Sequence, residues 1–196
     1  MKSLVVGITG ASGAVYGVRL LEALAATPVE THLIVSKWGR HTLEHETGMG
    51  LDEVHALADR HYGPGDMAAL MSSGSAAIDG MAVAPCSARS LAAIASGLSE
   101  NLIHRAADVM IKERRPLVLM VRETPLSAIH LENMLKLARL GVSILPPVPS
   151  FYNEPRSIDA MVDYTVARVL DQFGLRQETS ARWQGGLGRR PAPSDD

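Results

Sequence analysis

Short apolar segments alternate along the chain with longer segments of helical periodicity. Apolar, β-branched runs that predict strands occupy residues 4–9, 31–35, 80–84, 117–121 and 142–145. Segments that predict helices occupy residues 15–26, 37–46, 90–96, 102–114, 127–140 and 158–173. Parallel strands need crossover connections, and these helices supply them. We therefore predict a doubly wound α/β fold, a mostly parallel sheet with helices on both faces in a three-layer, Rossmann- or flavodoxin-like arrangement.

Two stretches interrupt this alternation. Residues 61–75 are rich in glycine and contain a proline, which predicts a functional loop. Residues 184–196 are rich in Gly, Arg, Pro and Asp, which predicts a mobile tail whose Arg189 and Arg190 are solvated. The remaining residues, 1–183, are predicted to form a single domain, as expected for a chain of 196 residues.

Charge and cysteine content exclude several classes of protein. With 19 Lys and Arg against 21 Asp and Glu, the chain lacks the basic field of nucleic-acid-binding proteins. No uncharged run reaches the length of a membrane span, and the glycine-broken start does not resemble a signal peptide. The lone Cys86 excludes an intrachain disulfide and indicates a reducing compartment. We therefore expect a cytoplasmic protein that binds neither nucleic acid nor membrane.

A glycine-rich turn, Gly7-Ile8-Thr9-Gly10-Ala11-Ser12-Gly13, joins the first strand to the first helix. Backbone N–H groups and the helix dipole favour an anion at this position, so the turn predicts a phosphate site; a tight turn without a ligand is the alternative. Short-chain reductases share the G-x-x-G-x-x-G spacing. However, Ser36-Lys37-Trp38 replaces the usual acidic residue after strand two, and no Tyr is followed four residues later by Lys. A short-chain dehydrogenase is therefore disfavoured.

Two other motifs are interpreted as structural. His41-Thr42-Leu43-Glu44-His45 matches a zinc-binding H-x-x-E-H pattern, but no third ligand follows at a suitable spacing, so a charged helix face is favoured. Cys86 follows a predicted strand, where a cysteine is more often a small buried apolar group than a nucleophile.

Further polar residues follow the ends of the later strands. The turn Pro85-Cys86-Ser87-Ala88-Arg89-Ser90 offers hydroxyls for an anion or a flavin, although a simple helix cap explains it equally well. Arg122 and Glu123 follow five apolar residues at the edge where ligands bind. Arg105 and Lys112 lie two helical turns apart and can jointly hold a phosphate. The loop at 146–153 presents an aromatic wall.

Together these motifs carry a resemblance to a known family. The strings TGASGAVYGVRLL, SKWGRHTLEHETG, APCSARSLAAI, NLIHRAADVMIKERRPLVLMVRETPLSAIHLENMLKLARLG, ILPPVPSFYN and VARVLDQFGL resemble the UbiX/Pad family of flavin prenyltransferases, in order and over nearly the whole chain. The resemblance implies binding of reduced FMN and dimethylallyl monophosphate, and joining of the five-carbon unit to flavin N5 and C6. It also implies a homo-oligomer, the dodecamer of the family, and a UbiD-type decarboxylase as recipient of the prenylated FMN.

The resemblance also implies a role for individual residues. The flavin contacts would be Gly10, Ala11, Ser12, Ser36, Ser87, Ala88, Arg89, Ser90 and Arg122. The prenyl-phosphate set would be Arg105, Lys112, Glu123, Tyr152 and Arg168, with Trp183 as an aromatic wall. Glu46 and Ser12 would serve the acid–base steps, and Ser12, Glu46, Lys112 and Glu123 together form the expected catalytic set.

The expected chemistry accounts for these residue types. Phosphate is a poor leaving group, and no Asp-rich metal motif is present, so cationic side chains must balance its developing charge and no metal is expected. Two alternatives stay open: a non-catalytic FMN carrier, which would tolerate loss of Arg105, Lys112 and Glu46, and a less favoured NAD(P)-dependent reductase. The strings around Ser36-Lys37-Trp38 resemble the subgroup paired with phenolic-acid decarboxylases. Direct decarboxylation is rejected, because no residue would stabilise the aryl carbanion-like centre.

Overall fold

A six-stranded parallel sheet forms the centre of the molecule. The computed structural model describes residues 2–177. The strands are β1 (Lys2–Ile8), β2 (Val29–Val35), β3 (Arg60–Tyr62), β4 (Gly80–Cys86), β5 (Leu117–Val121) and β6 (Ser143–Ile144). Their order is β3-β2-β1-β4-β5-β6, and every neighbouring pair is parallel. The predicted doubly wound α/β fold is therefore confirmed.

Helices cover both faces of the sheet. They are α1 (Ala14–Ala25), α2 (Lys37–Thr47), α3 (Leu51–His55), α4 (Ala88–Ala95), α5 (Leu102–Lys112), α6 (Ala128–Arg139) and α7 (Ile158–Asp171). One core layer holds the apolar side chains of α4, α5 and α6, and the other holds those of α1 and α7 with contributions from α2 and α3. Successive residues of the central strands point to alternate faces, so Val5 joins the first layer while Leu4 and Val6 join the second.

The structure corrects the expected loop at 61–75. Its first residues belong to β3, which pairs with β2 at the edge of the sheet, so the sheet has one strand more than predicted. The strand is short and mostly exposed, and its sequence Arg-His-Tyr carries no apolar run. Later in the same segment, Met71 is fully buried in the core, so this part is anchored rather than free. The helix Leu51–His55 was also not predicted.

Within residues 2–177, no helix has the length and apolarity needed to cross a membrane. The predicted tail at 184–196 and the predicted aromatic wall at Trp183 lie outside the described residues. Both stay predictions.

Candidate active site

The sheet opens a crevice between the carboxyl ends of β1 and β4. The chain leaves these adjacent strands in opposite directions, which is where doubly wound sheets bind ligands. Buried Thr9 bridges the two strands: its hydroxyl donates to the Pro85 carbonyl and accepts from the Ser87 N–H, both at 2.8 Å. Sequence analysis did not assign Thr9 a role, because the bridge joins residues more than 75 positions apart.

A cleft of about 660 Å³ begins at this bridge. Residues that line it include Gly10, Ser36, Trp38, Ser87, Ser90 and His104. A second cavity, of about 410 Å³, lies around the start of β5 and the end of α6, and none of the predicted site residues lines it. Five of the predicted flavin contacts line the first cleft, namely Gly10, Ser36, Ser87, Arg89 and Ser90, whereas Ala11, Ser12, Ala88 and Arg122 are not among its lining residues.

Helix α2 begins close against the crevice. The Ser36 N–H donates to the Ile8 carbonyl at 2.9 Å, and the Ser36 hydroxyl caps α2 by accepting from the Gly39 N–H at 3.0 Å. A Cβ added at Gly10 would lie 2.5 Å from the Cβ of Trp38, so only glycine allows this approach. The Trp38 side chain is 66% exposed and borders the cleft. Sequence analysis noted Trp38 only as part of a motif, although an exposed tryptophan after a strand signals a ligand wall.

The remainder of α2 does not form a zinc site. His41 packs against Trp38, with ring centroids 5.4 Å apart, and Glu44 accepts from Arg40 at 2.8 Å. Among the residues that the structure describes, no group of three or more His, Cys, Asp or Glu side chains is placed to hold a metal ion. These contacts support the charged helix face favoured by the sequence.

The turn after β4 supplies hydroxyls to the cleft. Ser87 caps α4 by accepting from the Ser90 N–H at 3.2 Å, and Ser90 is buried directly behind it. Ala88 is the first residue of α4, and Arg89 is exposed with its guanidinium 3.2 Å from Glu100. The serines thus cap the helix and line the cleft at the same time, so the two interpretations of this turn are compatible.

Cys86, at the end of β4, is fully buried. Burial raises the pKa of the Cys86 thiol to about 12, so the thiolate needed for nucleophilic attack is not formed at neutral pH. This supports the interpretation of Cys86 as a small apolar core residue.

The glycine-rich turn after β1 contains a carboxylate where a phosphate was expected. Glu46 Oε2, from the end of α2, accepts the N–H groups of Gly13 and Ala14, each at 2.8 Å. These N–H groups at the start of α1 are the donors that the sequence predicted to bind a phosphate. A side chain from another helix thus takes two of the donors at this helix terminus, and the phosphate expected in the turn stays a prediction. Gly10, Ala11 and Ser12 stay predicted flavin contacts.

The same contacts hold Glu46 ionised. Partial burial alone would raise the pKa of Glu46, but hydrogen bonds from the Ser12 hydroxyl and from the Ala14 and Gly13 N–H groups outweigh it. The positive charge of Arg122 acts in the same direction, so the pKa of Glu46 lies below its ordinary value. Glu46 is thus ionised at neutral pH and hydrogen-bonded to Ser12, and the acid–base role that the resemblance implies for the pair stays a prediction.

Arg122 and Glu123 lie beside this carboxylate at the carboxyl end of β5. The Arg122 N–H donates to the Cys86 carbonyl at 3.1 Å, which attaches the turn to β4. The charge of Arg122 acts on Glu46 and also on the Tyr16 phenol, whose pKa is raised by burial in spite of it. Both Arg122 and Glu123 are exposed. Arg122 therefore lies next to the end of β4, and its predicted contact with a flavin stays a prediction.

Arg105 and Lys112 lie on a shared face of α5, covered by the segment that follows Met71. The Arg105 guanidinium donates to the Ser72 carbonyl at 3.0 Å and to Asp108 at 2.8 Å. Lys112 forms an ion pair with Glu113, and a Cβ added at Gly74 would collide with both side chains. The two cations thus lie on one helix face, as their spacing predicted, and both are next to the segment at residues 72–74.

Tyr152 and Arg168 form a separate cluster with α7. The hydroxyls of Tyr152 and Tyr164 share a hydrogen bond, and Arg168 donates to Asp171 at 2.6 Å. Hydrogen bonds with Ser150 and Tyr164, together with the charge of Arg168, lower the pKa of Tyr152. Arg168 and the tyrosine phenol are therefore close enough to act on one ligand.

The sheet separates these two clusters of phosphate-binding candidates. Helix α5, with Arg105 and Lys112, packs on one face of the sheet, whereas α7, with Arg168, packs on the other. The predicted prenyl-phosphate set is therefore divided between the two helix layers of the chain.

Comparison with known proteins agrees with this doubly wound, flavin-sized site. The Flavoprotein family matches residues 1–170. A probable UbiX-like flavin prenyltransferase of Bacillus subtilis (strain 168) is 59% identical over 182 residues, which are 93% of this chain and 89% of the relative. The chain belongs to the flavoprotein family and, within it, to the UbiX-like flavin prenyltransferases.

Two solved structures are similar over nearly their whole length. One is AnUbiX (PadA1) in complex with FMN and dimethylallyl pyrophosphate, with a TM-score of 0.93, 51% identity, and coverage of 95% of this chain and 99% of that one. The other is a dodecameric FMN-dependent UbiX-like decarboxylase from Escherichia coli O157:H7, with a TM-score of 0.92, 55% identity, and coverage of 93% and 100%. The family resemblance found in the sequence is confirmed.

Proposed function

We propose that this chain transfers a dimethylallyl unit from dimethylallyl monophosphate to N5 and C6 of reduced FMN. The observation that carries the proposal is one ionised carboxylate, Glu46, hydrogen-bonded to Ser12 in the turn after β1, whose Gly10 lines a cleft that suits a flavin. A volume of about 660 Å³ is in the usual range for cofactor sites, about 300–1,000 Å³.

The reduced flavin supplies the nucleophile, and the chain positions it. Ser36, Ser87 and Ser90 offer hydroxyls along the cleft, and Arg122 offers a positive charge at its rim. Trp38 and the small residue Gly10 shape the wall beside it. These groups fit a planar ring that carries carbonyl oxygens and a phosphate.

The first bond replaces the C–O bond of the donor. Phosphate leaves with the electron pair of that bond, and negative charge develops on its oxygens. The new N5–C bond replaces the N5–H bond of the reduced flavin, and the leaving phosphate takes the released proton. Arg105, Lys112 and Arg168 are the cations that would balance this charge, and Tyr152 would donate a hydrogen bond to it. Because their present partners are carboxylates of the same helices, a phosphate would exchange with those carboxylates.

The second bond joins C6 to the remaining double bond of the five-carbon unit. In this step the alkene gains a proton and C6 loses one, so no oxidant is needed. Glu46 is ionised and can accept the proton that C6 loses. Its hydrogen bond to Ser12 offers a route by which a proton reaches the alkene. Glu123, exposed beside Arg122, is the second carboxylate that the resemblance implies near the donor.

We further propose a homo-oligomer with shared active sites. The phosphate-binding candidates are divided between the two helix layers of one chain, and in this proposal different copies of the chain supply different parts of one site. The similar protein from Escherichia coli O157:H7 is dodecameric, and a dodecamer is the assembly we propose. Light scattering of the purified protein tests this, and an active monomer would contradict it.

A UbiD-type decarboxylase in the same cytoplasm is the proposed recipient of the product. This follows from the resemblance, which implies that prenylated FMN serves such an enzyme. Because one relative is described as a decarboxylase, phenolic acids should be tested directly as substrates. Carbon dioxide release without a partner enzyme would favour that second function.

Mass spectrometry of the flavin tests the main proposal. The protein is incubated without oxygen with FMN, dithionite and dimethylallyl monophosphate, and the flavin is extracted. We expect a gain of one C5 unit, lost in Lys112→Ala and kept in Lys136→Ala, which removes an exposed lysine on α6. Unchanged FMN that still binds to the protein would favour a carrier. The diphosphate donor is tested in parallel, because a similar structure contains it.

A further inference from the structure

His104 lies behind the cleft and has no role in the proposed reaction. Its side chain is buried, with 2% exposed, and Nε2 lies 3.1 Å from the Ser90 hydroxyl. Nδ1 is also buried, and among residues 2–177 it has no hydrogen-bond partner. Ser90 in turn contacts the Ser87 hydroxyl at 3.2 Å. A hydrogen-bonded chain therefore runs from His104 through Ser90 to Ser87 at the cleft.

The environment of the ring determines which nitrogen carries the proton. Burial lowers the pKa of His104, so the ring is neutral at pH 7 and holds one N–H. A proton on Nδ1 would be a buried donor without a partner, whereas an unpaired Nδ1 lone pair costs less. The Asn101 amide nitrogen is a donor and would favour a His104 Nε2 that accepts, but the two nitrogens are 3.5 Å apart, the limit of a hydrogen bond. The Nε2–H form, donating to Ser90, is favoured.

The position of this proton determines which groups donate and which accept in the hydrogen-bonded series His104–Ser90–Ser87. The Ser87 hydroxyl donates to the Ser90 hydroxyl at 3.2 Å, so this contact uses one of the two serine protons. When His104 also donates to Ser90, the proton of the Ser90 hydroxyl is left for an acceptor in the cleft that both serines line. In the opposite form, Ser90 donates to His104 and Ser87 donates to Ser90, so no hydroxyl proton is left for a ligand.

We propose that His104 is a positioning residue that turns the Ser87–Ser90 pair into a hydrogen-bond donor toward acceptor atoms of FMN. The acceptors are phosphate oxygens or ring carbonyls of the flavin. The inference rests on the proposed function, because it takes FMN as the occupant of the cleft. His104 acts only through Ser90, and its effect should vanish when Ser90 is removed.

Flavin fluorescence quenching tests the proposal as a binding measurement on the intact protein. We expect His104→Leu to raise the FMN dissociation constant about tenfold, the loss of one uncharged hydrogen bond. His104→Gln, whose amide nitrogen can still donate to Ser90, should recover most of the affinity. In the Ser90→Ala background, His104→Leu should have no further effect. Riboflavin, titrated in parallel, separates the acceptors: a loss confined to FMN identifies the phosphate.

A matched control separates positioning from general destabilisation. His32 is also a buried histidine, but both of its ring nitrogens are paired, with Ser3 and Tyr62. His32→Leu should lower the melting temperature and leave FMN affinity unchanged. If His104→Leu does not fold, His104→Gln is compared with His104→Asn, whose shorter amide does not reach Ser90.

The outcomes distinguish this inference from the proposed function. Unchanged affinity in a folded His104→Leu or His104→Asn variant would overturn the positioning role, as would effects of His104 and Ser90 that simply add. Wild-type protein that does not bind FMN would refute the proposed function itself.

Discussion

Replacing Glu46 by glutamine removes a charge and leaves the shape of the α1 cap. The glutamine carbonyl can still accept the N–H groups of Gly13 and Ala14, which now lie 2.8 Å from the carboxylate. Charge-assisted hydrogen bonds become neutral ones and the interaction with the helix dipole is lost, but solvent screens this exposed group. We expect a loss of only about 1 kcal/mol in the free energy of unfolding.

Catalysis should suffer far more, and at one step. A general base contributes about 10²- to 10⁴-fold to a proton transfer, so C6 bond formation should slow by at least about 100-fold. Formation of the N5 bond releases the N5 proton to the leaving phosphate rather than to Glu46, so we expect its rate to change little. The variant should therefore accumulate flavin that is joined to the five-carbon unit at N5 alone.

FMN labelled with deuterium at C6 resolves the two steps in one anaerobic sample. Phosphate release reports the first bond, and loss of the deuterium from the flavin reports the second. Glu44→Gln is the control, because Glu44 lies on the same helix but pairs with Arg40. Equal slowing of phosphate release and deuterium loss in Glu46→Gln would refute the assignment of Glu46 as the base of ring closure.

The depressed pKa of Glu46 also predicts a pH dependence with a definite sign. A carboxylate whose pKa is lower in the folded protein stabilises the fold fully above its ordinary pKa of 4.5. This stabilisation is lost as the pH falls through the folded-state pKa. The stability difference between wild type and Glu46→Gln should therefore be constant near neutral pH and shrink only below about pH 4.5.

Three further changes test the structure around the site. Thr9→Val removes both bridging hydrogen bonds of the crevice and should lower the free energy of unfolding by about 2–3 kcal/mol. The control Thr165→Val removes one hydrogen bond within a helix and should lower it by less than about 1 kcal/mol. Equal shifts of the two variants in urea unfolding would contradict the bridge. Gly39→Ala places a Cβ 2.5 Å from a strand carbonyl and should destabilise the protein by about 1–3 kcal/mol, measured by the same unfolding. Cys86, buried with a pKa of about 12, should react with a thiol reagent far more slowly in the native than in the unfolded protein, and rapid native labelling would disprove its burial.

Much of the fold was predictable because the central strands are buried on both faces. Such strands are continuous apolar runs, and β1, β4 and β5 were found from them. The edge strand β3 was missed because its Arg-His-Tyr sequence is exposed and pairs through its backbone alone. Arg105 and Lys112 were placed on one helix face because helical spacing is a local property.

The sequence by itself determined the order of elements, the position of each polar motif at a strand end, and the family. It could not show that Glu46 caps a helix that begins 32 residues earlier. The N–H groups at the start of that helix were therefore predicted to bind a phosphate. Nor could it show that the sheet lies between Lys112 and Arg168. Local spacing follows from backbone geometry, whereas contacts between distant segments depend on how the layers pack. Only the tertiary structure decided which N–H donors Glu46 takes and on which face of the sheet each cation lies.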